Sequence, residues 1–313
     1  MIVRNPRARR APSERDLLAD VGPLRESGWG VEIRTTTAPG EAAELAAAAA
    51  RDGADILIAC GGDGTVHEAA NGLAGTDTAL GVAPAGTADV WAREAFIPRD
   101  PTAALALLPH MRRARADMGL VNGHHFLLMC GIGLDAEVVR RVAADPRAKR
   151  WVGRAAYAAA GAAVVLGTRP VPAEIAVDGE TLQLDLLLAL AGNTRLYGGV
   201  ARITDAALID DGLLDICLFH AAGGRGGVVQ HAALALRALR GGLHRRARGG
   251  IDYRRATRVV VTPESRLPVQ ADGELIGETP ATLTVAPATL TVLIARRPNP
   301  LFGRPHGGST AAS

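Results

Sequence analysis

The chain has 313 residues, 48% apolar and 21% charged, with a net charge of +3, the profile of a soluble enzyme with room for two domains of ordinary size. No uncharged run reaches the length of a membrane span, and the nearest, 155–167, is mostly alanine and reads as a buried helix. Aromatic residues make up 3% and do not interleave with the arginines, which argues against a nucleic-acid stacking platform.

In chain order, residues 1–4 read as a short strand and 13–27 as a helix with Ser13 as N-cap. The N-terminal arginines are followed by no apolar stretch, so no signal peptide is expected. A strand at 30–34 and an alanine-rich helix at 40–51, closed by Asp52-Gly53, come next. The apolar run 55–59 then breaks into Cys60-Gly61-Gly62-Asp63-Gly64-Thr65-Val66-His67-Glu68 and opens a helix through Leu73. Another strand is expected at 78–83. Strands separated by helices imply a parallel sheet with helices on both faces, and ligands on such sheets bind at the carboxyl ends of the strands.

The glycine run falls at such an end. Bare backbone N–H groups at a helix start suit phosphate, and glycines let the backbone approach a ligand closely. Asp63 is the anomaly, a carboxylate among donors, and is expected to face a metal-bound nucleotide or a ribose hydroxyl. By itself the loop would also suit a plain strand-to-helix turn with an Asp-Gly corner, the weaker of the two readings. A second loop, Gly81 to Asp89 through Pro84-Ala85-Gly86-Thr87, also follows a strand end. Two such loops on neighbouring parallel strands would share one crevice, with the Thr65 and Thr87 hydroxyls in reach of phosphate oxygens.

Near Asp117 the character changes to strand-like segments at 126–130, 173–177, 182–190, 213–219, 258–262, 283–285 and 290–295, interrupted by helices at 135–143, 150–166 and 228–240. The expected division is an α/β domain over 1–115, a β-rich domain over 116–297 and a disordered tail over 298–313. Cys60, Cys130 and Cys217 lie far apart inside apolar runs and read as buried thiols of a reducing, cytoplasmic setting. Lys149 is the single lysine, so the arginine bias is a matter of composition; the clusters Arg4, Arg7, Arg9, Arg10 and Arg237, Arg240, His244, Arg245, Arg246, Arg248, Arg254, Arg255 suit a phosphate site or an anionic membrane face, or simply a solvated surface.

Taken as an ordered set, the motifs resemble the diacylglycerol kinase catalytic domain family of bacterial lipid kinases and sphingosine kinases. The resemblance runs through Asn5-Pro6, the GGDGT loop with Asn71-Gly72-Leu73, Pro84-Ala85-Gly86-Thr87 with Ala92-Arg93, and Gly131-Ile132-Gly133-Leu134-Asp135-Ala136. It continues through Asn193 with Tyr197-Gly198-Gly199, Asp210-Asp211-Gly212-Leu213-Leu214-Asp215, and Asp272-Gly273-Glu274. GGDGT alone is shared with NAD kinases and resembles a phosphofructokinase loop; the set is more specific.

The resemblance implies an N-terminal parallel-sheet nucleotide domain and a C-terminal β-sandwich, with catalysis in the cleft between them. By position, ATP would be held by Asn5, Thr36, Gly61, Gly62, Asp63, Gly64, Thr65 and Thr87. Asp272 and Glu274 would be the catalytic acidic pair, with Asp272 the candidate base and Glu274 orienting it or sharing the role; which of the two is the base stays open. Mg2+ would sit structurally on the Asp211 carboxylate and the carbonyls of Leu208 and Leu213. Implied partners are a lipid substrate and a membrane surface visited transiently from the cytoplasm, with no nucleic acid; a homodimer stays open. Three positions depart from the family pattern: Arg7-Ala8-Arg9 replaces a Ser-Gly turn, Asp89 stands where asparagine is common, and Asp205 where proline is usual. Competing readings are an NAD kinase-like enzyme with a soluble substrate, or a lipid- or nucleotide-binding regulator with impaired catalysis.

Overall fold

The computed structural model describes residues 1–144, 169–199, 201–221, 242–246 and 249–303, without the side chains of 142, 143 and 246. The helices expected at 150–166 and 228–240, Lys149, Arg237, Arg240, Arg248 and the tail from 304 lie outside the described residues.

The first half alternates as its sequence implies: β1 (Ile2–Arg4), α1 (Glu14–Asp20), α2 (Gly22–Glu26), β2 (Ile33–Thr35), α3 (Glu41–Arg51), β3 (Ile56–Gly61), α4 (Asp63–Leu73), β4 (Ala79–Pro84), α5 (Val90–Glu94) and α6 (Pro101–Leu107). Ser13 caps α1 by accepting from the Asp16 N–H at 3.1 Å, and the chain turns at Val21 into α2, which carries a proline in its first turn. All pairings among these strands are parallel, in the order β2-β1-β3-β4. The strand order reverses at β1, with β2 added on one side and β3 and β4 on the other, so the crevice beyond the carboxyl ends of β1 and β3 is the natural ligand position. The alanine face of α3 (Ala42, Ala46, Ala49) is buried. A side chain at Gly72 would strike the Ala43 carbonyl and come within 2.8 Å of Ala46 Cβ, so this glycine lets α4 lie directly on α3.

The second half is antiparallel. It comprises β5 (Met111–Val121), β6 (His124–Phe126), β7 (Met129–Gly133), α7 (Leu134–Ala144), β8 (Val171–Val177), β9 (Glu180–Gly192), β10 (Leu196–Tyr197), β11 (Ala201–Arg202), β12 (Leu214–His220), β13 (Ile251–Ala256), β14 (Arg258–Pro263), β15 (Pro268–Ala271), β16 (Glu274–Glu278) and β17 (Ala281–Ala295). Inward residues of β7, β8, β9, β12, β14 and β15 form a second core, including Ile132, Ile175, Leu186, Ile216, Val261 and Val269.

Two of the differences from the sequence reading bear on how the halves join. The segments 283–285 and 290–295 are one strand: β17 pairs with β14 at its start, runs along β5 with an irregularity between Ala286 and Leu290, and joins the parallel sheet where Val292 meets Leu80. The chain also returns to the first core past its last strand. Leu290, Val292, Ile294, Leu301 and Phe302 are buried with Ile2, Leu57 and Leu80, so 298–303 is packed structure rather than disordered tail. Leucine and phenylalanine there gain more from burial than the short, proline-bearing segment loses in freedom.

Candidate active site

The two glycine loops meet back to back. The Ala85 N–H donates to the Gly61 carbonyl at 2.8 Å, and the Asn5 N–H to the Cys60 carbonyl at 2.9 Å. An added side chain at Gly86 would lie 2.7 Å from Gly62 Cα, and one at Gly61 would run into Thr65. The Asn5 amide donates to Thr65 Oγ1 at 2.9 Å while its Oδ1 accepts from the Arg7 N–H at 2.9 Å, so one side chain joins the loop after β1 to the start of α4. Buried Thr36 donates its N–H to the Arg4 carbonyl at 2.9 Å, beside that loop. The expected nucleotide residues Asn5, Thr36, Gly61, Gly62, Gly64, Thr65 and Thr87 therefore sit at or beside the strand ends around one crevice, with Gly64 and Thr87 exposed.

Asp63 is engaged within the loop pair through one carboxylate oxygen. Its Oδ1 accepts from the Val90 N–H at 2.7 Å, holding the start of α5. Burial raises its pKa to about 6, with the nearby Asp89 charge adding and the Val90 and Trp91 N–H groups opposing. Beside the nucleotide role expected of it, Asp63 thus has a structural one: α5 begins without a side-chain cap from its own N-cap residue, and Asp63 supplies the acceptor from across the loop pair. Asp89 is likewise spent internally. In left-handed backbone conformation at φ 48°, it accepts from the Gly86 N–H at 2.8 Å and pairs with Arg10, with Arg99 at 3.7 Å. Arg10 also bonds the Gly86 and Arg99 carbonyls at 3.2 and 2.8 Å. The unusual carboxylate thus has its cation, supplied by the arginine-rich turn after Asn5-Pro6.

The acidic turn between β15 and β16 closes the cleft from the other half. Asp272, at φ 48°, has a carboxylate 1% exposed. Its Oδ1 accepts from Leu128 and Met129 N–H, both at 2.8 Å; its Oδ2 accepts from Leu127 N–H at 2.7 Å and lies 2.9 Å from His67 Nδ1. Four donors fill the roughly four lone-pair positions of a carboxylate, so Asp272 has none left for a substrate hydroxyl. A substrate hydroxyl would have to displace one of these donors, which makes Glu274 the freer of the two acidic residues expected at the chemistry. Glu274 is exposed and makes no hydrogen bond among those described. Beneath the turn, Gly273 N–H donates to Gln270 Oε1 at 2.7 Å, and Gln270 and Tyr197 both donate to buried Asp135. Burial pushes the Asp135 pKa up while those two hydrogen bonds oppose it.

Helix α5 couples the halves. Arg93 bonds the Gly199 carbonyl, Glu94 accepts from the Arg195 N–H at 3.0 Å and pairs with its guanidinium at 3.1 Å, and the Glu94 carbonyl accepts from Asn299 at 2.6 Å. Residue spacing offered a signal for one member the motif reading passed over: Asp63, His67 and Asn71 recur every four positions, on one face of α4. Arg10, Gln270 and Arg195 carry no local signal.

In the loop before Leu214 the carboxylate expected to hold magnesium is engaged by protein groups. Asp211 accepts from the Leu213 N–H at 3.1 Å and is ion-paired with Arg255, whose Nε also lies 3.6 Å from the otherwise unbonded Asp215 Oδ2. No group of three or more His, Cys, Asp or Glu side chains able to hold a metal occurs among the described residues. An arginine on β13 satisfies the carboxylate that, with the Leu208 and Leu213 carbonyls, was expected to hold Mg2+. Neighbouring Asp205 is taken by His244 at 2.9 Å and the Gly242 N–H at 3.1 Å. Arg254 is paired with Glu180 at 2.7 Å, so Arg254, Arg255 and His244 of the later basic cluster are committed within the molecule.

Residues 1–121 match the family model for the diacylglycerol kinase catalytic domain, and 129–294 that for the YegS C-terminal NAD kinase beta sandwich-like domain. The chain is 31% identical over 283 residues to a diacylglycerol kinase of Bacillus subtilis, covering 89% of this chain and 90% of that one. It is 35% identical over 229 residues to a Pseudomonas putida protein described as "Probable lipid kinase YegS-like", covering 72% and 74%. A crystal structure of a diacylglycerol kinase from Bacillus anthracis str. Sterne superposes with a TM-score of 0.71 at 22% identity, covering 94% and 95%, a likeness of fold.

Proposed function

The chain belongs to the diacylglycerol kinase and YegS-like family of lipid kinases, and from that premise we propose that it transfers the γ-phosphoryl group of ATP to the hydroxyl of a lipid alcohol of the diacylglycerol type. The observation that carries this reading is the His67–Asp272 contact, which sets the acidic turn one hydrogen bond from the helix that opens with the glycine loop. Phosphoryl transfer asks for positioned phosphates, charge neutralisation and an acceptor for the hydroxyl proton. N–H groups at the start of α4, the Thr65 hydroxyl and exposed Arg7 and Arg9 would receive the phosphates of Mg-ATP. Glu274 would take the proton as the lipid oxygen bonds to the γ-phosphorus and ADP departs with the bridging oxygen.

No helix among the described residues is long and apolar enough to cross a membrane. Access to a bilayer-resident substrate is proposed to be peripheral and electrostatic, through exposed arginines away from the phosphate loops such as Arg245, which bonds His244 but makes no ion pair among the described residues, so vesicle binding should weaken with salt. The test of function is incubation of the purified chain with γ-labelled ATP and magnesium against diacylglycerol, a total lipid extract and NAD in parallel. Label in the organic phase supports the proposal. Label on NAD instead would move the enzyme to the soluble-substrate reading, and ATP binding without transfer would make it a regulator.

A further inference from the structure

His67 enters the reading above as a contact and not as a group that handles phosphate or proton, and it is the one described side chain of the nucleotide half that bonds Asp272. It lies on α4 one turn beyond the glycine loop, 11% exposed. The Asn71 amide lies 3.5 and 3.4 Å from its two ring nitrogens and donates to its carbonyl at 2.9 Å. Asp272 and Gly273, at φ 48° and 90°, form the tight two-residue turn between β15 and β16 for which Asp-Gly is a favoured pair, so what is fixed from outside is the carboxylate. Three of the bonds that fix it come from Leu127, Leu128 and Met129 in its own half. The fourth crosses the cleft.

We propose that His67 is a positioning residue for phosphoryl transfer: it ties the acidic turn to the nucleotide-loop helix and so sets where Glu274 stands relative to the γ-phosphate. This rests on the lipid-kinase reading and deepens it. A substrate gap wrong by about 1 Å can cost on the order of 10²-fold in rate, so a single cross-cleft bond has leverage on turnover that it lacks on nucleotide binding, which uses groups on one side only.

The charges facing the ring are Asp272 and Glu274 from the acidic turn, Glu68 from α4 itself and His125 from β6; Asp63 on the same helix feels Asp272 in turn. Burial alone would lower the His67 pKa, but the Asp272 hydrogen bond and the three carboxylate charges outweigh it and the net direction is upward. His125 moves the other way, lowered by burial and by the His67 charge. The stabilisation from His67 is therefore complete below its ordinary value of 6.5 and fades as pH rises through its raised one. The neutral ring can still donate from Nδ1, so the tie weakens from a charge-assisted to a neutral hydrogen bond.

The experiment compares the full chain with His67→Ala and His67→Asn. An asparagine amide nitrogen occupies the position of Nδ1 and donates without titrating. His67→Ala should lower kcat by about 10²-fold with KM for ATP within about twofold. His67→Asn should recover most of kcat and lose the alkaline decline that His67 gives the parent. Near-parental kcat in His67→Ala, or equal loss in both variants, would overturn the proposal. A second readout uses no lipid: the melting temperature of the parent minus that of His67→Ala, followed from pH 5 to 9, should shrink as pH rises. A parent that phosphorylates no lipid defeats the function reading; a flat, near-zero melting difference defeats the tie itself.

Discussion

The nucleotide side and the acceptor side of the cleft are built by opposite means. On the nucleotide side, two loops from adjacent parallel strands touch through backbone, and both nearby carboxylates, Asp63 and Asp89, are turned inward onto N–H groups and arginines. On the acceptor side a single turn is held by groups distant in sequence: Leu127 to Met129, Gln270 with Asp135 and Tyr197 behind it, and His67 from the facing domain. Of the acidic residues that motif reading placed at the chemistry, three are consumed in shaping backbone and Glu274 stays free. An acidic residue beside a phosphate site is as readily a structural acceptor as a ligand, and its hydrogen bonds decide which.

The sharpest break of that comparison separates the two carboxylates of the acidic turn. Glu274→Gln should cost on the order of 10²–10⁴ in turnover with melting temperature and ATP binding unchanged. Asp272→Asn sets an amide among four donors, so it should lose turnover and also about 1–3 kcal/mol of stability, read by denaturant unfolding. If Asp272→Asn is inactive at parental stability while Glu274→Gln turns over normally, Asp272 is the base after all and the saturated carboxylate must open during catalysis.

The nucleotide side should fail differently. A methyl at Gly86 meets Gly62 Cα at 2.7 Å and Asp89 Oδ1 at 2.8 Å, so Gly86→Ala must push the loops apart. Overpacking of this kind costs about 1–3 kcal/mol. The expected result is a weakened ATP KM and a smaller change in kcat, the reverse of the split expected for His67→Ala. Equal effects on both constants would mean that the two sides are not mechanically distinct.

That contrast also explains what was legible in sequence. The parallel half could be read from alternation and turn residues because each element is local and its ligand position follows from strand order. The glycine loops announced themselves because close backbone approach demands glycine. The extent of β17 was not readable, since Pro287 and the irregularity beside it look like a strand end, whereas both parts run along β5 and the second also meets β4 of the first half. Nor was the burial of Asp272: its donors are three backbone N–H groups whose availability depends on the turn between β6 and β7, and backbone availability leaves no trace in residue type. Arg10 was visible only as a member of a basic run, and its partner, Asp89, only as a departure.

Those two departures belong to one device, and a double-mutant cycle reads it. Arg10→Ala leaves the buried Asp89 carboxylate with the Gly86 N–H and the more distant Arg99. Arg10 is 38% exposed, so the loss should be moderate, about 1–2 kcal/mol by chemical unfolding. Asp89→Asn in the Arg10→Ala background should recover part of it, because the amide needs no cation. Strictly additive effects would show that the two residues act separately.

The smallest expected effect concerns the Asp211 loop. With Arg255 between Asp211 and Asp215, the parent's melting temperature should respond little to added magnesium or to a chelator, whereas turnover with the proposed Mg-ATP should depend on magnesium. Arg255→Ala removes a partly exposed pair worth up to about 1 kcal/mol, which corresponds to a fall of roughly 2–4 °C or less. It also leaves two carboxylates facing one space, so magnesium should now raise the melting temperature of the variant more than that of the parent. A parent strongly stabilised by magnesium, with Arg255→Ala responding no more than the parent, would restore a metal to this loop and make the Arg255 pair an alternative occupant of the same acidic position.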